Sequence, residues 1–361
     1  MHDLLFSGAV PLAESQHDMS KKFHVTLHDI AQQVNVSKVT VSKALRGHPD
    51  ISAETVKKIK SVASELGYFP NYMARNLSSN RSHTIGVVVP KIAHFFFSAV
   101  IEAIYDAALE NNYDIILTVS QENVERELRQ IRSLLSMRVD GIIISVTQQT
   151  KDPAIFYQVK EMGIPVTFMD RAIDGEGFNS VVADDFGGAY TATEYAIKSG
   201  FQRIGHLGGF AHTMIGKERF RGFKAAMQHY KMPLHPEWIV RGGFSDADGY
   251  DGFMKLYESH KLPDFLFAVT YPVALGVHQA ARQVGMNIPK DIDIISFGPH
   301  GLNEMFSPQM NYIEQPTIEL GKKAVELTLN NIRQRDGFIP QKITLPTKLV
   351  LCDQEFKKVA S

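Results

Sequence analysis

The feature that most constrains the fold is the alternation, from Thr84 onward, of short apolar runs with segments of helical periodicity. Runs rich in β-branched residues that alternate with helices are typical of parallel α/β units. Such units form open sheets, and ligands bind in the crevice outside the carboxyl ends of the strands. We therefore predict an α/β domain with strands at residues 85–89, 113–119, 141–145, 165–169, 181–183, 203–207, 264–269, 293–297 and 343–350.

The length and composition leave room for more than this domain. At 361 residues, with 44% hydrophobic side chains, the chain can build a small N-terminal domain and about two further cores. The single cysteine, Cys352, excludes an intrachain disulfide. No apolar run approaches the roughly 20 residues of a membrane span, and no positive charge precedes the apolar residues 4–13. We expect a cytoplasmic protein with no membrane association, in which residues 1–18 are a disordered extension or precede the true start at Met19.

The segment from Thr26 to Leu45 predicts two short helices around a tight turn. Thr26 and Asp29 have the spacing of a capping box at the start of the first helix. Asn35 tolerates the positive φ that such a turn needs, and Ser37 is a favourable N-cap for the second helix. The inward faces are apolar, and the second helix leaves Lys38, Val39, Ser42 and Lys43 pointing outward. A short polar and basic face of this kind suits the major groove of DNA.

Two amphipathic helices also occur in many proteins that do not bind DNA, so the neighbouring residues matter. A third helix is predicted from Ser52 to Gly67, where the glycine suits a helix end. Residues 19–83 carry ten Lys and Arg against four Asp and Glu, whereas the whole chain has a net charge of −1. Basic charge is therefore concentrated in the small domain, as contact with phosphates requires.

The chain resembles the LacI/GalR family of transcriptional regulators from about Val25 to its C-terminus. The motifs that carry the resemblance are Thr-x-x-Asp-Ile-Ala at 26–31, Val-Ser-x-x-Thr-Val-Ser at 36–42, and Leu-Gly-Tyr-x-Pro-Asn-x-x-Ala-Arg-x-Leu at 66–77. The resemblance implies a hinge helix that orders on operator DNA, with Leu77 inserted into a minor-groove base step. The expected DNA contacts are Thr26, Ser37, Lys38, Val39, Thr40, Ser42, Lys43, Asn71, Tyr72, Ala74, Arg75 and Leu77. Lys43 stands where the family commonly has Arg, and Lys cannot form the planar fork that Arg makes to guanine.

The same resemblance implies an N-terminal all-α helix-turn-helix domain followed by a two-lobed, periplasmic-binding-protein-like effector domain with parallel sheets. We place the helix-turn-helix domain at residues 19–69 and the hinge helix and linker at 70–83. The effector domain then spans 84–361, with three crossovers near residues 183–185, near 314–316 and between 337 and 343. Lobe 1 would hold residues 84–183 and 316–338, and lobe 2 would hold 184–313 and 339–361.

Doubly wound domains are often enzymes, but the motifs of this chain do not favour catalysis. Its glycine pairs lack the GxGxxG spacing of a dinucleotide loop, and it contains no Walker A, HExxH or GxSxG motif. Its histidines show no metal-ligand spacing to Asp, Glu or Cys. We therefore expect no catalytic residues, no metal and no cofactor, and interpret the lobes as a sensor.

The effector contacts can be predicted only by matching positions of this sequence to the family pattern. His94-Phe-Phe-Phe-Ser98 matches the family's Asn-Pro-Phe-Phe-Ser, which implies that Phe96 and Phe97 line the cleft; alternatively they are core residues at the start of a helix. Arg219 matches the family Arg that binds effector oxygens; alternatively it forms a surface or interlobe ion pair. Asp185 and Phe244 correspond to an Asn and an aromatic wall in some members. The predicted effector contacts are His94, Phe96, Phe97, Asp185, Arg219, Phe244, Tyr271 and His300.

Two departures from the family pattern bear on the effector. Sugar-responsive members commonly carry Asp in the segments where this chain has Tyr271 and Gly298. Because carboxylates bind vicinal sugar hydroxyls by bidentate acceptance, their loss argues against a simple neutral monosaccharide. His94, Tyr271 and His300 could meet a phosphorylated or acidic sugar or a base-like ring, or the lobes could respond to no effector. We rank a carbohydrate-derived ligand first because such ligands dominate the family.

The partners that the resemblance implies are a pseudo-palindromic double-stranded operator, a small-molecule effector and a second copy of the chain. In the resulting homodimer, effector binding would shift the lobes and bias the hinge helices between ordered and disordered states. Residues 96–111 and 123–137 are the expected dimer surface. The alternative from another class is a solute-binding or metabolite-sensing protein whose DNA-binding segment has lost its function.

Overall fold

The computed structural model describes residues 25–68, 81–173, 176–298, 309–334 and 339–352. The chain divides into two units with a boundary between Ser79 and Asn80. Between residues 25 and 68, the described part of the first unit, there are three helices: α1 (Leu27–Val34), α2 (Lys38–Leu45) and α3 (Ala53–Glu65). Their apolar faces bury Ile30, Val41 and Ile59 completely. This core is small because each helix contributes only a narrow apolar stripe.

The second unit alternates strands and helices, as the periodicity predicts. Its first half contains β1 (Thr84–Val89), α4 (Phe95–Glu110), β2 (Asp114–Val119), α5 (Val124–Ser136), β3 (Gly141–Ile144), α6 (Ala154–Glu161), β4 (Val166–Met169) and β5 (Asn179–Ala183). It continues with α7 (Asp185–Lys198), β6 (Ile204–Gly208), α8 (Met214–His229), β7 (Ile239–Arg241), α9 (Asp246–Glu258), β8 (Phe265–Ala268), α10 (Tyr271–Gln283) and β9 (Asp293–Gly298). The last elements are β10 (Asn311–Glu314), α11 (Thr317–Arg333), β11 (Lys342–Leu345) and β12 (Lys348–Val350).

These strands form two six-stranded sheets, one in each lobe. Lobe 1 has the order β11-β5-β4-β3-β1-β2, and lobe 2 has the order β12-β10-β9-β8-β6-β7. All pairs are parallel except β10 with β12. In lobe 1, α11 packs closely on α4 because Gly321 has no side chain; a Cβ there would lie 2.7 Å from the carbonyl oxygen of Val100. The two-lobed parallel architecture is thus confirmed.

The structure corrects the last interlobe crossing. Residues 343–350 were expected to form one strand, and 339–361 to belong wholly to lobe 2. Instead, Ile343 pairs with Val181 in lobe 1, while Leu349 pairs with Ile313 in lobe 2. Pro346 separates the two strands, because proline has no N–H to continue the ladder. The chain therefore crosses at residues 346–347, beyond the segment 337–343 in which the crossing was predicted.

Two strands of lobe 2 were not predicted from the sequence. β7 has only three residues and is partly exposed, and β10 reads Asn-Tyr-Ile-Glu, which lacks a clear β-rich run. Within the described segments, no helix is both long and apolar enough to cross a membrane.

Candidate DNA interface and effector site

The helix-turn-helix geometry follows from local sequence signals. The backbone N–H of Thr26 donates to Asp29 at 2.8 Å, and the capping box begins α1 as predicted. Asn35 ends α1 with a φ of 59°, the left-handed conformation that Asn tolerates. The hydroxyl of Ser37 accepts the N–H of Thr40 at 3.0 Å and begins α2. Thr26 and Ser37, both predicted DNA contacts, are therefore exposed residues that also cap their helices.

The outward face of α2 presents the predicted base-reading residues. Lys38 is exposed, and Val39 keeps 64% of its surface accessible. Such an exposed apolar side chain fits contact with a thymine methyl group. The ammonium group of Lys43 lies 2.9 Å from a carboxylate oxygen of Asp50, and this pairing lowers the pKa of Asp50. The DNA contact predicted for Lys43 would therefore require this ion pair with Asp50 to break. The predicted contacts Asn71, Tyr72, Ala74, Arg75 and Leu77 lie outside the described residues.

A cavity between the lobes brings together most of the predicted effector residues. His94, Phe96 and Phe97 reach it from lobe 1, and Arg219, Phe244 and Tyr271 reach it from lobe 2. The cavity has a volume of about 50 Å³ and lies at the carboxyl ends of both sheets. A second cavity of about 730 Å³ continues along the interlobe surface and is lined in part by Asp185. His300 lies outside the described residues.

Arg219 and Asp185 form a buried ion pair inside lobe 2. Arg219 Nε donates to Asp185 Oδ1 at 2.7 Å, and Arg219 also donates to the carbonyl oxygen of Val269. The guanidinium carbon lies 3.6 Å from the centre of the Phe297 ring, a cation–π distance. Only 2% of Arg219 and 5% of Asp185 is exposed. Arg219 therefore forms an ion pair, as the alternative prediction stated. The pair is buried inside lobe 2, however, and not on the surface or between the lobes.

Phe96 and Phe97 are both cavity-lining residues and core residues, the two alternatives that the sequence left open. Their rings pack edge to face with centres 5.2 Å apart. Both belong to the lobe 1 core and both line the cavity. His94 precedes them with its Nδ1 buried and without a partner among the described residues. Burial lowers the pKa of His94 to about 4, so its ring is neutral near pH 7.

Three charged residues of the cleft were missed by sequence reasoning. Arg171 donates from one nitrogen to both carboxylate oxygens of Glu122, at 2.8 and 3.0 Å. Its guanidinium carbon lies 5.6 Å from the centre of the Phe244 ring, so it links lobe 1 to lobe 2. Asp170 precedes it, immediately after β4. A charged pair directly after an apolar strand was the signal that could have identified both Asp170 and Arg171.

Asp170 combines a strained backbone with a shifted pKa. Its φ of 63° lies in the left-handed region. Burial raises its pKa to about 6, and the carboxylate of Asp185 adds to the rise, while Arg171 opposes it. Burial likewise raises the pKa of Asp185 although Arg219 lowers it. Asp170 lines the smaller cavity and Asp185 the larger one, and a carboxyl group on a cavity wall can bind a hydroxyl or amine donor on a ligand.

The lobes are also joined by a hydrogen bond at the rim of the larger cavity. His212 Nε2, in lobe 2, lies 2.9 Å from the carbonyl oxygen of Gln148 in lobe 1. Together with the contact between Arg171 and Phe244, it holds the lobes together across the cleft. Among the described residues, no group of His, Cys, Asp and Glu could hold a metal ion.

A helix-turn-helix unit joined to a two-lobed domain with an interlobe cavity defines a ligand-binding regulator. Residues 82–351 match the family described as periplasmic binding proteins and sugar binding domain of LacI family. Residues 26–71 match bacterial regulatory proteins, lacI family. The chain belongs to the LacI family of DNA-binding transcriptional regulators, as the sequence motifs indicated.

Named relatives agree with this assignment. Catabolite control protein A of Priestia megaterium is 32% identical over 84% of this chain and 91% of its own length. The HTH-type transcriptional repressor PurR of Pasteurella multocida is 30% identical over 86% of this chain and 92% of its own length. The structure of the lac repressor dimer bound to operator and the anti-inducer ONPF shares the fold, with a TM-score of 0.80 at 23% identity over 91% of this chain and 98% of that one. These relatives are regulators, in agreement with the prediction that the chain is not an enzyme.

Proposed function

We propose that this protein is a cytoplasmic repressor that binds a pseudo-palindromic operator as a homodimer and changes its operator affinity when a small molecule enters the interlobe cavity. The observation that carries the proposal is the convergence of aromatic and charged side chains from both lobes on one cavity. A ligand held by both lobes changes their relative position, which is how the signal would reach the hinge segment. The cytoplasmic location follows from the DNA partner.

We assign base contacts to the outward face of α2 and phosphate contacts to its flanks. Lys38, Val39, Ser42 and Lys43 occupy the exposed side of the helix. Thr26, Ser37 and Thr40 stand near the amino-terminal ends of α1 and α2, where N–H groups and hydroxyls bind phosphate. We assign the hinge contacts to Asn71, Tyr72, Ala74, Arg75 and Leu77, on the family pattern.

We assign the effector contacts to His94, Phe96, Phe97, Asp185, Arg219, Phe244, Tyr271 and His300, and add Asp170 and Arg171. The family's sugar-binding description and the paired aromatic rings support a carbohydrate-derived ligand. Tyr271 and Gly298 replace the carboxylates of sugar-responsive members, and Arg171, although paired with Glu122, places a guanidinium group on the cavity wall. These features favour a phosphorylated or acidic derivative over a neutral monosaccharide.

We assign the dimer contacts to α4 and α5 of lobe 1. Tyr105 and Leu109 on α4 expose 54% and 58% of their surface. Large apolar side chains that project from one helix face are common at homodimer interfaces. Sedimentation of the purified chain should show a dimer, and replacement of both residues by Ser should shift it toward a monomer.

Selection of DNA from a random-sequence pool by the full-length protein tests the DNA-binding proposal. We expect an enriched sequence with two related half-sites, because two recognition helices related by a two-fold axis read inverted repeats. Enrichment by Lys38→Ala should relax at one position of each half-site. A pool without any enriched motif would instead support a metabolite-sensing protein that no longer reads DNA.

A further inference from the structure

A separate cavity in lobe 2 lies between α8 and the carboxyl ends of β6 and β7. It has a volume of about 170 Å³, roughly the space of five or six liquid waters. His206, Phe220 and Arg241 contribute to its walls, and none of its described lining residues belongs to lobe 1. It shares no lining residue with the smaller interlobe cavity, where most of the assigned effector contacts meet, and only Lys217 with the larger one.

The base of this cavity is a buried histidine with one unused nitrogen. His206 is 0% exposed, and its Nδ1 lies 2.9 Å from the carbonyl oxygen of Phe267. Since a carbonyl oxygen can only accept, Nδ1 carries the proton and Nε2 is left as an acceptor. Burial lowers the pKa of His206 to about 4, which keeps the ring neutral at pH 7. No partner for Nε2 is found in the described part of the chain.

The surroundings fix this ring, and its Nε2 is buried at the base of the cavity. The rings of Phe220, Phe223 and Phe267 stack on His206 with centres 5.8, 5.0 and 4.9 Å away. Gly208 lies beside Nε2 and lines the cavity; a Cβ at this position would lie 3.0 Å from the nitrogen. Because the residue is glycine, no side chain lies between Nε2 and the cavity.

The mouth of the cavity is basic. Lys217 and Arg241 are exposed and line it, and the guanidinium of Arg241 stacks 5.2 Å from the centre of the Phe220 ring. Arg221 also lines it, but forms an ion pair with Glu218. No carboxylate is present among the described residues that line the cavity. The mouth therefore attracts an anion while the base requires a hydrogen-bond donor.

We propose that this cavity is a second ligand site, which binds a small hydroxylated anion such as a phosphorylated or carboxylated polyol of three to four carbons. A hydroxyl of the ligand donates to His206 Nε2, after a small movement of the Gly208-Gly209 backbone uncovers this buried atom. Its phosphate or carboxylate binds Lys217 and Arg241 at the mouth, and its carbon chain contacts the face of Phe220. The site lies on the lobe opposite the assigned dimer surface, so its occupation does not require dissociation of the dimer.

Calorimetry with the full-length protein and four probes tests this proposal: glycerol phosphate, glycerate, propyl phosphate and glycerol. Glycerol phosphate or glycerate should bind, propyl phosphate should bind about tenfold more weakly because it offers no hydroxyl, and glycerol should not bind. Whichever of the two anions binds with the lower Kd shows whether the site prefers a phosphate or a carboxylate. Failure of both anions to bind would overturn the proposal and leave a water-filled cavity.

Substitutions of the lining residues test whether the anion binds in this cavity. Arg241→Ala changes only an exposed side chain of this cavity and should raise the Kd about tenfold. Lys217→Ala should do the same, although Lys217 also lines the larger interlobe cavity, whereas Lys255→Ala on α9, which lines neither cavity, should leave the Kd unchanged. The ¹⁵N resonance of His206 Nε2 should also shift when the ligand binds. Loss of binding in Arg171→Met but not in Arg241→Ala would place the anion in the interlobe cavity and refute a second site.

Discussion

Replacement of Arg219 by Met should strongly destabilise lobe 2. Methionine keeps much of the length and apolar surface of Arg but removes the charge. The substitution leaves the carboxylate of Asp185 buried without its cation, and the carbonyl oxygen of Val269 without its donor. Breaking a buried ion pair on one side costs about 3–5 kcal/mol. The contact of Arg219 with the Phe297 ring is lost as well, and a desolvated cation–π contact contributes about 2 kcal/mol. We count this loss as part of the cost of about 3–5 kcal/mol and do not add it.

Urea denaturation followed by the emission of Trp238 measures this cost. Trp238 is the only tryptophan of the chain and belongs to lobe 2, so its signal reports on the lobe that is perturbed. A matched control is Arg221→Met, two residues along α8, whose side chain is 57% exposed and pairs with Glu218. The control should change the free energy of unfolding by less than about 1 kcal/mol.

The pH dependence gives an independent check. Without Arg219, Asp185 loses the cation that lowers its pKa, and burial raises that pKa further. The folded variant then favours the protonated carboxyl, so the cost of Arg219→Met should shrink as the pH falls from 8 to 5. Asp185→Asn in the same chain should recover part of the loss. A cost below about 1 kcal/mol that does not change with pH would refute the buried ion pair.

Further outcomes follow from the other charged groups. Lys38→Ala should cost about 1–3 kcal/mol at one base position while leaving non-specific affinity nearly unchanged, as measured by anisotropy with matched and mutated operators. Asp50→Asn frees Lys43 and should steepen the salt dependence of DNA binding, and an unchanged slope would show that the ion pair does not compete with phosphate. Asp170→Asn should stabilise the fold above pH 6, by at most about 3 kcal/mol, and the gain should fall to zero below pH 4 because the folded pKa of Asp170 is raised to about 6. Asp251→Asn, an exposed control on α9, should show no such pH profile.

The sequence predicted the helix-turn-helix in detail because its signals are local. The capping box, the left-handed Asn35 and the N-cap Ser37 each depend on residues within four positions. Most strands of the lobes, but not β7 and β10, were predicted for the same reason, since continuous apolar runs identify buried parallel strands. The pairing of β11 with lobe 1 could not be read in this way, because it depends on contacts with Ser180 and Val181 far away in the chain.

The lining of the interlobe cavity was predicted only in part, for a physical reason. Family positions brought Phe96, Arg219 and Tyr271 to one cavity, as the structure shows. The sequence did not reveal that Arg219 is engaged by Asp185, because that pairing requires α7 and α8 to pack side by side. Arg171 was missed because its partner Glu122 is 49 residues away and only the sheet brings them together.

The central claim is that a small molecule bound to the lobes controls the affinity for DNA. Fluorescence anisotropy of the full-length protein with its selected operator, repeated across salt and with a panel of sugars, sugar phosphates and nucleobases, tests it most directly. The account predicts tight, steeply salt-dependent binding that resists competitor DNA and that one compound changes about 5- to 150-fold. Binding that no compound changes would contradict the coupling between cavity and DNA, and weak binding to every sequence would contradict the repressor itself.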